Sequence, residues 1–168
     1  SGFTYLGYPT LEEACEQANG FSVTREPNSD ELPYIQLLES LIKLLLADLF
    51  SEIELPPCQI IKSGRGAWQG MASCIPIKTS QQLHFRGLTI RYRLPYVALK
   101  GDLLAPSCFG NALSTYLHEI AHMFGSDGSA SFSHALSKVL DITLTHSPLI
   151  SQWQQKWESL RPERDLKN

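Results

Sequence analysis

The sequence has no long apolar run. Its longest candidate, residues 41–50, is interrupted by Lys43 and Asp48. A membrane helix needs about 18–20 consecutive apolar residues, so no stretch of the chain reads as one. Cysteine is scarce: Cys15, Cys58, Cys74 and Cys108 form no CxxC pair, which argues against a cysteine zinc site or a thioredoxin-like redox pair. A chain of 168 residues buries a sufficient core without staples. The four cysteines therefore read as free, mostly buried thiols of an intracellular, cytoplasmic protein. No basic segment followed by an apolar one opens the chain, so no signal peptide is visible. The start Ser1-Gly2 reads as the remnant of a cleaved tag, and the segment as a domain cut from a larger protein whose regulatory domains lie elsewhere.

Charge is also sparse, at 18% of residues against a typical value of about 25%, so no long solvated tail is expected. The 43% hydrophobic content excludes a wholly disordered chain. The most informative absence is local. Residues 55–101 contain no aspartate or glutamate, yet they hold Lys62, Arg65, Lys78, Arg86, Arg91, Arg93 and Lys100. The net charge of −3 thus conceals a cationic block inside an acidic chain.

Helix-forming periodicity is present before that block. Leu37, Leu38, Leu41, Leu44, Leu45 and Leu49 recur at three- and four-residue steps, with Ser29 or Asp30 as cap and Pro56-Pro57 as the stop. A short helix is expected over residues 11–18. Residues 59–62, 68–77 and 88–99 read as strands, with Ile90, Tyr92 and Leu94 on one face and Arg91 and Arg93 on the other. Pro95 cannot donate to a ladder and argues for an edge or a bulge there. After Pro106 the chain turns helical, capped by Ser107 or Asn111, with breaks at residues 125–128 and at Ser147-Pro148. This order gives one α+β domain over residues 1–168: helical to 57, strand-rich from 58 to 104, helical from 105 onward.

Residues 118–122 read His-Glu-Ile-Ala-His. Histidines four apart stand one above the other on a helix and can share one zinc ion. The intervening Glu119 lies beside them, where its carboxylate can take a proton from zinc-bound water. Leu113, Leu117, Ile120 and Phe124 form an apolar stripe opposite His118, His122 and Thr115, and Gly125 suits a left-handed helix stop.

On this motif the sequence resembles the zincin metallopeptidases, mainly over residues 112–145. The resemblance implies a zincin-like α+β fold: N-terminal helices, a small mixed sheet, the HExxH active-site helix, then C-terminal helices. It implies a Zn²⁺ cofactor and hydrolysis of peptide bonds in a protein substrate. It also implies a substrate strand paired to a sheet edge above the metal, for which residues 88–99 are the candidate. Two patterns of the family are not met: Gly128 stands where the metzincin motif has its last His, and no Met follows Met123. The third ligand is open among His134, Asp127 and Asp141. His134 is the first choice, since it lies opposite the stripe Phe132, Leu136, Val139, Leu140 and is similar in placement to the third His of the zincins that digest DNA–protein crosslinks. His146 is the one downstream candidate for supporting an oxyanion, and His84 is undecided.

The cationic block allows two readings. Arg91 and Arg93, with Arg86, line the rim of the cleft and favour an acidic peptide, or the acidic helices of residues 11–54 neutralise the block within the domain. An acidic total and little aromatic–basic interleaving speak against nucleic acid. The expectation is a zinc metallopeptidase with Glu119 as general base. The alternatives are a non-catalytic, zinc-stabilised interaction module and a zinc hydrolase of a non-peptide substrate.

Overall fold

Burial of the leucine periodicity organises the first half of the chain. The computed structural model describes residues 23–62 and 69–161; the expected helix over residues 11–18, Cys15, Arg65 and Trp68 lie outside them. Strand β1 (Thr24–Arg25) leads into helix α1 (Leu32–Leu45), which buries Tyr34, Ile35, Leu38, Leu41, Ile42 and Leu45. Asn28, rather than Ser29 or Asp30, organises its start: the Asn28 side-chain oxygen accepts from the amides of Asp30 and Glu31. The Glu31 carboxylate takes both ends of the Arg25 guanidinium, at 2.6 and 3.0 Å, and so ties β1 to the helix. The leucine run is not one helix. Leu46 leaves helical geometry, and a short α2 (Ala47–Phe50) follows, which turns Leu44 outward and Leu49 inward.

The strand-rich part is more broken than its alternation suggests. It comprises β2 (Cys58–Ile61), β3 (Gly70–Ala72), β4 (Ile75–Pro76), β5 (Leu83–Phe85), β6 (Leu88–Ile90), β7 (Tyr92–Arg93) and β8 (Val97–Lys100). The main sheet runs β1-β2-β8-β3, with β2 and β8 parallel and the outer pairs antiparallel. β4 with β7, and β5 with β6, make separate two-stranded ribbons. The expected strand over residues 88–99 is thereby three pieces. Its middle cannot continue a ladder because the amides of Arg91 and Tyr92 both donate to Met123 O, at 2.8 and 3.0 Å, and Pro95 has none to give. The β5–β6 turn carries Arg86 and Gly87 with φ of 49° and 80°, the pair of positive values a tight type I′ turn requires.

Three helices close the fold: α3 (Phe109–Ala121), α4 (Ala130–Thr145) and α5 (Ser147–Ser159). Helix α3 packs on β8 and β3 with Phe109, Ala112, Leu113, Tyr116, Leu117 and Ile120 buried. Helix α5 anchors the N-terminal half: Trp157 is fully buried against Tyr34 and Phe109, and its ring N–H donates to Ala105 O at 2.8 Å. Helix α4 buries Phe132, Ala135, Val139 and Ile142. Leu140 and Leu144, 59% and 66% exposed, face out, so the expected stripe is rotated by less than a quarter turn. Cys58, Cys74 and Cys108 are free thiols, but only Cys58 is buried; Cys108 is half-buried and Cys74 exposed, against the expectation of mostly buried thiols. Among the described residues no helix is long and apolar enough to cross a membrane.

Candidate metal centre

The end of α3 presents His118 and Glu119, and His122 is the residue that terminates the helix. The carbonyl of Gly125 lies 3.1 Å from His122 Nδ1. A carbonyl only accepts, so Nδ1 carries the proton and Nε2 keeps its lone pair for a metal. Two residues on, Asp127 brings its Oδ1 to 3.4 Å from His118 Nε2 and 3.3 Å from His122 Nε2. These three donors lie within 4.8 Å of one another and form the one metal-capable trio among the described residues. A tetrahedral ion with bonds of about 2.0–2.1 Å holds its ligands about 3.3–3.4 Å apart, so the Asp127 spacings fit zinc.

The turn that delivers Asp127 is tightly built. Gly125 is not the left-handed stop expected of it, since Gly87 is the only glycine with positive φ among the described residues. It is needed for close approach instead: a Cβ there would lie 2.2 Å from Ser129 Oγ. Ser129 in turn caps α4 by accepting from Phe132 N at 3.1 Å. The Phe132 ring, 3% exposed, then stacks on His122 at 4.7 Å and meets His118 edge-on at 5.0 Å. One aromatic ring thus fixes both imidazole planes. Phe132→Leu is expected to weaken metal binding tenfold to a hundredfold, the usual range for groups that orient ligands, while Phe132→Tyr retains most of it. Competition with a chromophoric chelator measures this; equal affinity in the Leu variant would remove Phe132 from the role.

Glu119 is buried beneath β3. Gly70 passes so close that a Cβ on it would sit 2.9 Å from Glu119 Oε1 and 2.6 Å from Thr115 Cγ2. Glu119 Oε2 remains 3.7 Å from His122 Nε2. Burial, with the charge of Asp127 second, pushes the Glu119 carboxyl up to about 8. Burial lowers His122, against the hydrogen bond it donates to Gly125 O and the charge of Asp127, which favours the neutral, ligating imidazole.

The other candidate residues are placed apart. His134 is exposed on the outer side of α4, and Asp141 is exposed two turns further; neither joins the trio. His146 donates from Nδ1 to Ile142 O at 2.8 Å and so caps α4. His84 is exposed on β5, with Nδ1 3.4 Å from Thr89 Oγ1. Arg86 is engaged by Asp48 at 2.9 Å, whereas Arg91 and Arg93 are exposed and have no carboxylate within 4.0 Å among the described residues. Sequence reasoning missed Gly70 and Phe132. Phe132 was visible as an aromatic ten residues after His122, but nothing in the spacing aimed it at the histidines.

No family model, curated protein or solved structure matches this chain.

Proposed function

We propose that the chain is a zinc-dependent metallopeptidase of zincin-like architecture, with His118, His122 and Asp127 as metal ligands and Glu119 as general base. The observation that carries this reading is the Asp127 carboxylate oxygen, equidistant from both histidine Nε2 atoms at tetrahedral spacing. Among the described residues Asp127, and not the sequence's first choice His134, groups with the two histidines, which supports Asp127 as the third ligand. Among the described residues three donors cluster, one fewer than the four of a structural site. That favours an enzyme over an interaction module held together by zinc.

A zinc ion held there supplies a water acidic enough to ionise near neutrality and polarises a carbonyl in its contact. Glu119 would be the group that accepts a proton from the attacking water and hands it to the nitrogen of the leaving amine. His122 is kept in the ligating tautomer by Gly125 O, and β3, packed over Glu119, shields the base from bulk water. Of the two outer strands of the main sheet, β1 and β3, it is β3 that lies over Glu119 and would offer its edge to an extended substrate, whereas β8 within residues 88–99 is flanked on both sides.

The test begins with metal content. Wild type and His134→Ala are each expected to hold about one zinc per chain, and Asp127→Ala to lose it under dialysis against a weak chelator. Zinc-loaded protein incubated with a proteome digest is then expected to create new peptide termini, with a hydroxamate suppressing them. Retained zinc in Asp127→Ala would refute the ligand set, and an absence of new termini would refute the peptidase reading.

A further inference from the structure

The β4–β7 ribbon is fixed to the metal centre through its backbone. The amides of Arg91 and Tyr92 hold Met123 O, the residue next to His122, and Ile77 N donates to Arg91 O at 2.8 Å. Pairing sets Ile75 opposite Arg93 and Pro76 opposite Tyr92. Arg91 and Arg93, two apart, share one side of their strand. Both are exposed without an acidic partner among the described residues, and Ile75 is 42% exposed beside them. Arg86 is different: Asp48 already occupies it at the far hairpin. Among the described residues, the neutralisation that composition allowed reaches Arg86 and not the ribbon. Beside the candidate ligands lies a small surface with two cations that have no acidic partner among the described residues, and one aliphatic side chain that is 42% exposed.

We propose that this ribbon docks an acidic protein segment, one carrying a carboxylate side chain next to an apolar residue, and so selects the substrate of the adjoining centre. Carboxylates pair with the guanidinium forks, and a neighbouring aliphatic residue covers Ile75. A bare polyanion satisfies only the first of these contacts, which is why a protein segment fits better than nucleic acid. Selection of a substrate rests on the peptidase reading; docking itself does not, and it is measured without turnover.

The experiment uses the full chain carrying Glu119→Gln and fluorescence anisotropy. The probes are a short labelled peptide rich in Glu and Val, its counterpart with Lys for Glu, and a single-stranded RNA of the same length. The Glu peptide is expected to bind at least about tenfold tighter than the Lys peptide at low salt, and the margin to shrink as salt rises. Arg91→Glu with Arg93→Glu is expected to reverse the preference, and Arg86→Glu to leave it intact. The preference is expected to survive a chelator, so a chain that holds no zinc still reports on the ribbon. Equal binding of the two peptides, an unchanged preference in the reversed variant, loss of preference on chelation, or tighter binding of the RNA would each overturn the proposal.

Discussion

Glu119→Gln is expected to lower peptide hydrolysis by about 10²–10⁴-fold, the contribution of a positioned general base. The same variant is expected to keep its zinc, because Glu119 is not one of the three clustered donors. Glutamine matches glutamate in shape and fills the same space under Gly70, but it cannot accept the water's proton. A change confined to kcat, with zinc stoichiometry and Tm held, is the pattern that separates a base from a ligand. His118→Ala supplies the contrast, losing metal and activity together. Hydrolysis by Glu119→Gln at the wild-type rate would sink the mechanism.

Gly70→Ala should be nearly as damaging, although it adds one methyl group and removes no functional atom. The new Cβ would lie 2.6 Å from Thr115 Cγ2 and 2.9 Å from Glu119 Oε1, both closer than real Cβ contacts allow. Either β3 lifts or the carboxylate moves, and a displacement of about 1 Å in a catalytic group lowers the rate about 10²-fold. Zinc content is expected to be unaffected, since Gly70 touches none of the donors. Thr115→Ser deletes the methyl of the closer contact. The pair Gly70→Ala/Thr115→Ser is therefore expected to regain stability without regaining the rate, as read by Tm and by kcat on the same preparation. Full activity in either variant would show that Glu119 does not depend on the bare backbone above it.

Legibility in the sequence followed the range of the interaction involved. Helix α3 was readable because Leu113, Leu117, Ile120 and Phe124 repeat at helical spacing, and all four are buried. The mixed α and β order and the helical C-terminal third were readable for the same local reasons. Helix α4 was readable in extent but not in facing: Ala135 and Ile142 go inward while Leu140 and Leu144 do not. Two neighbouring stripes were apolar, and a small alanine against α3 carried no weight by hydrophobicity alone. The strand over residues 88–99 failed because its central amides turn to Met123, a partner that no local pattern specifies. Asp127 was legible only as one of three candidates for the third ligand. Its approach to the two histidines depends on where Gly125 and Ser129 crowd the chain, a three-dimensional fact.

The parallel pairing of β2 with β8 sets Cys58 opposite Val97, so the centre of the sheet closes only when distant segments meet. Loops of that size are slow to close compared with helix formation or a short turn between helices. The His118, His122 and Asp127 donors span ten positions and need only α3, one turn and the start of α4 to assemble. The cover over Glu119 needs β3, which joins the sheet through β8. On contact range alone, the donor trio is expected to assemble before β3 closes over Glu119. Under the proposed function, such a chain would be able to hold an ion before it could cut.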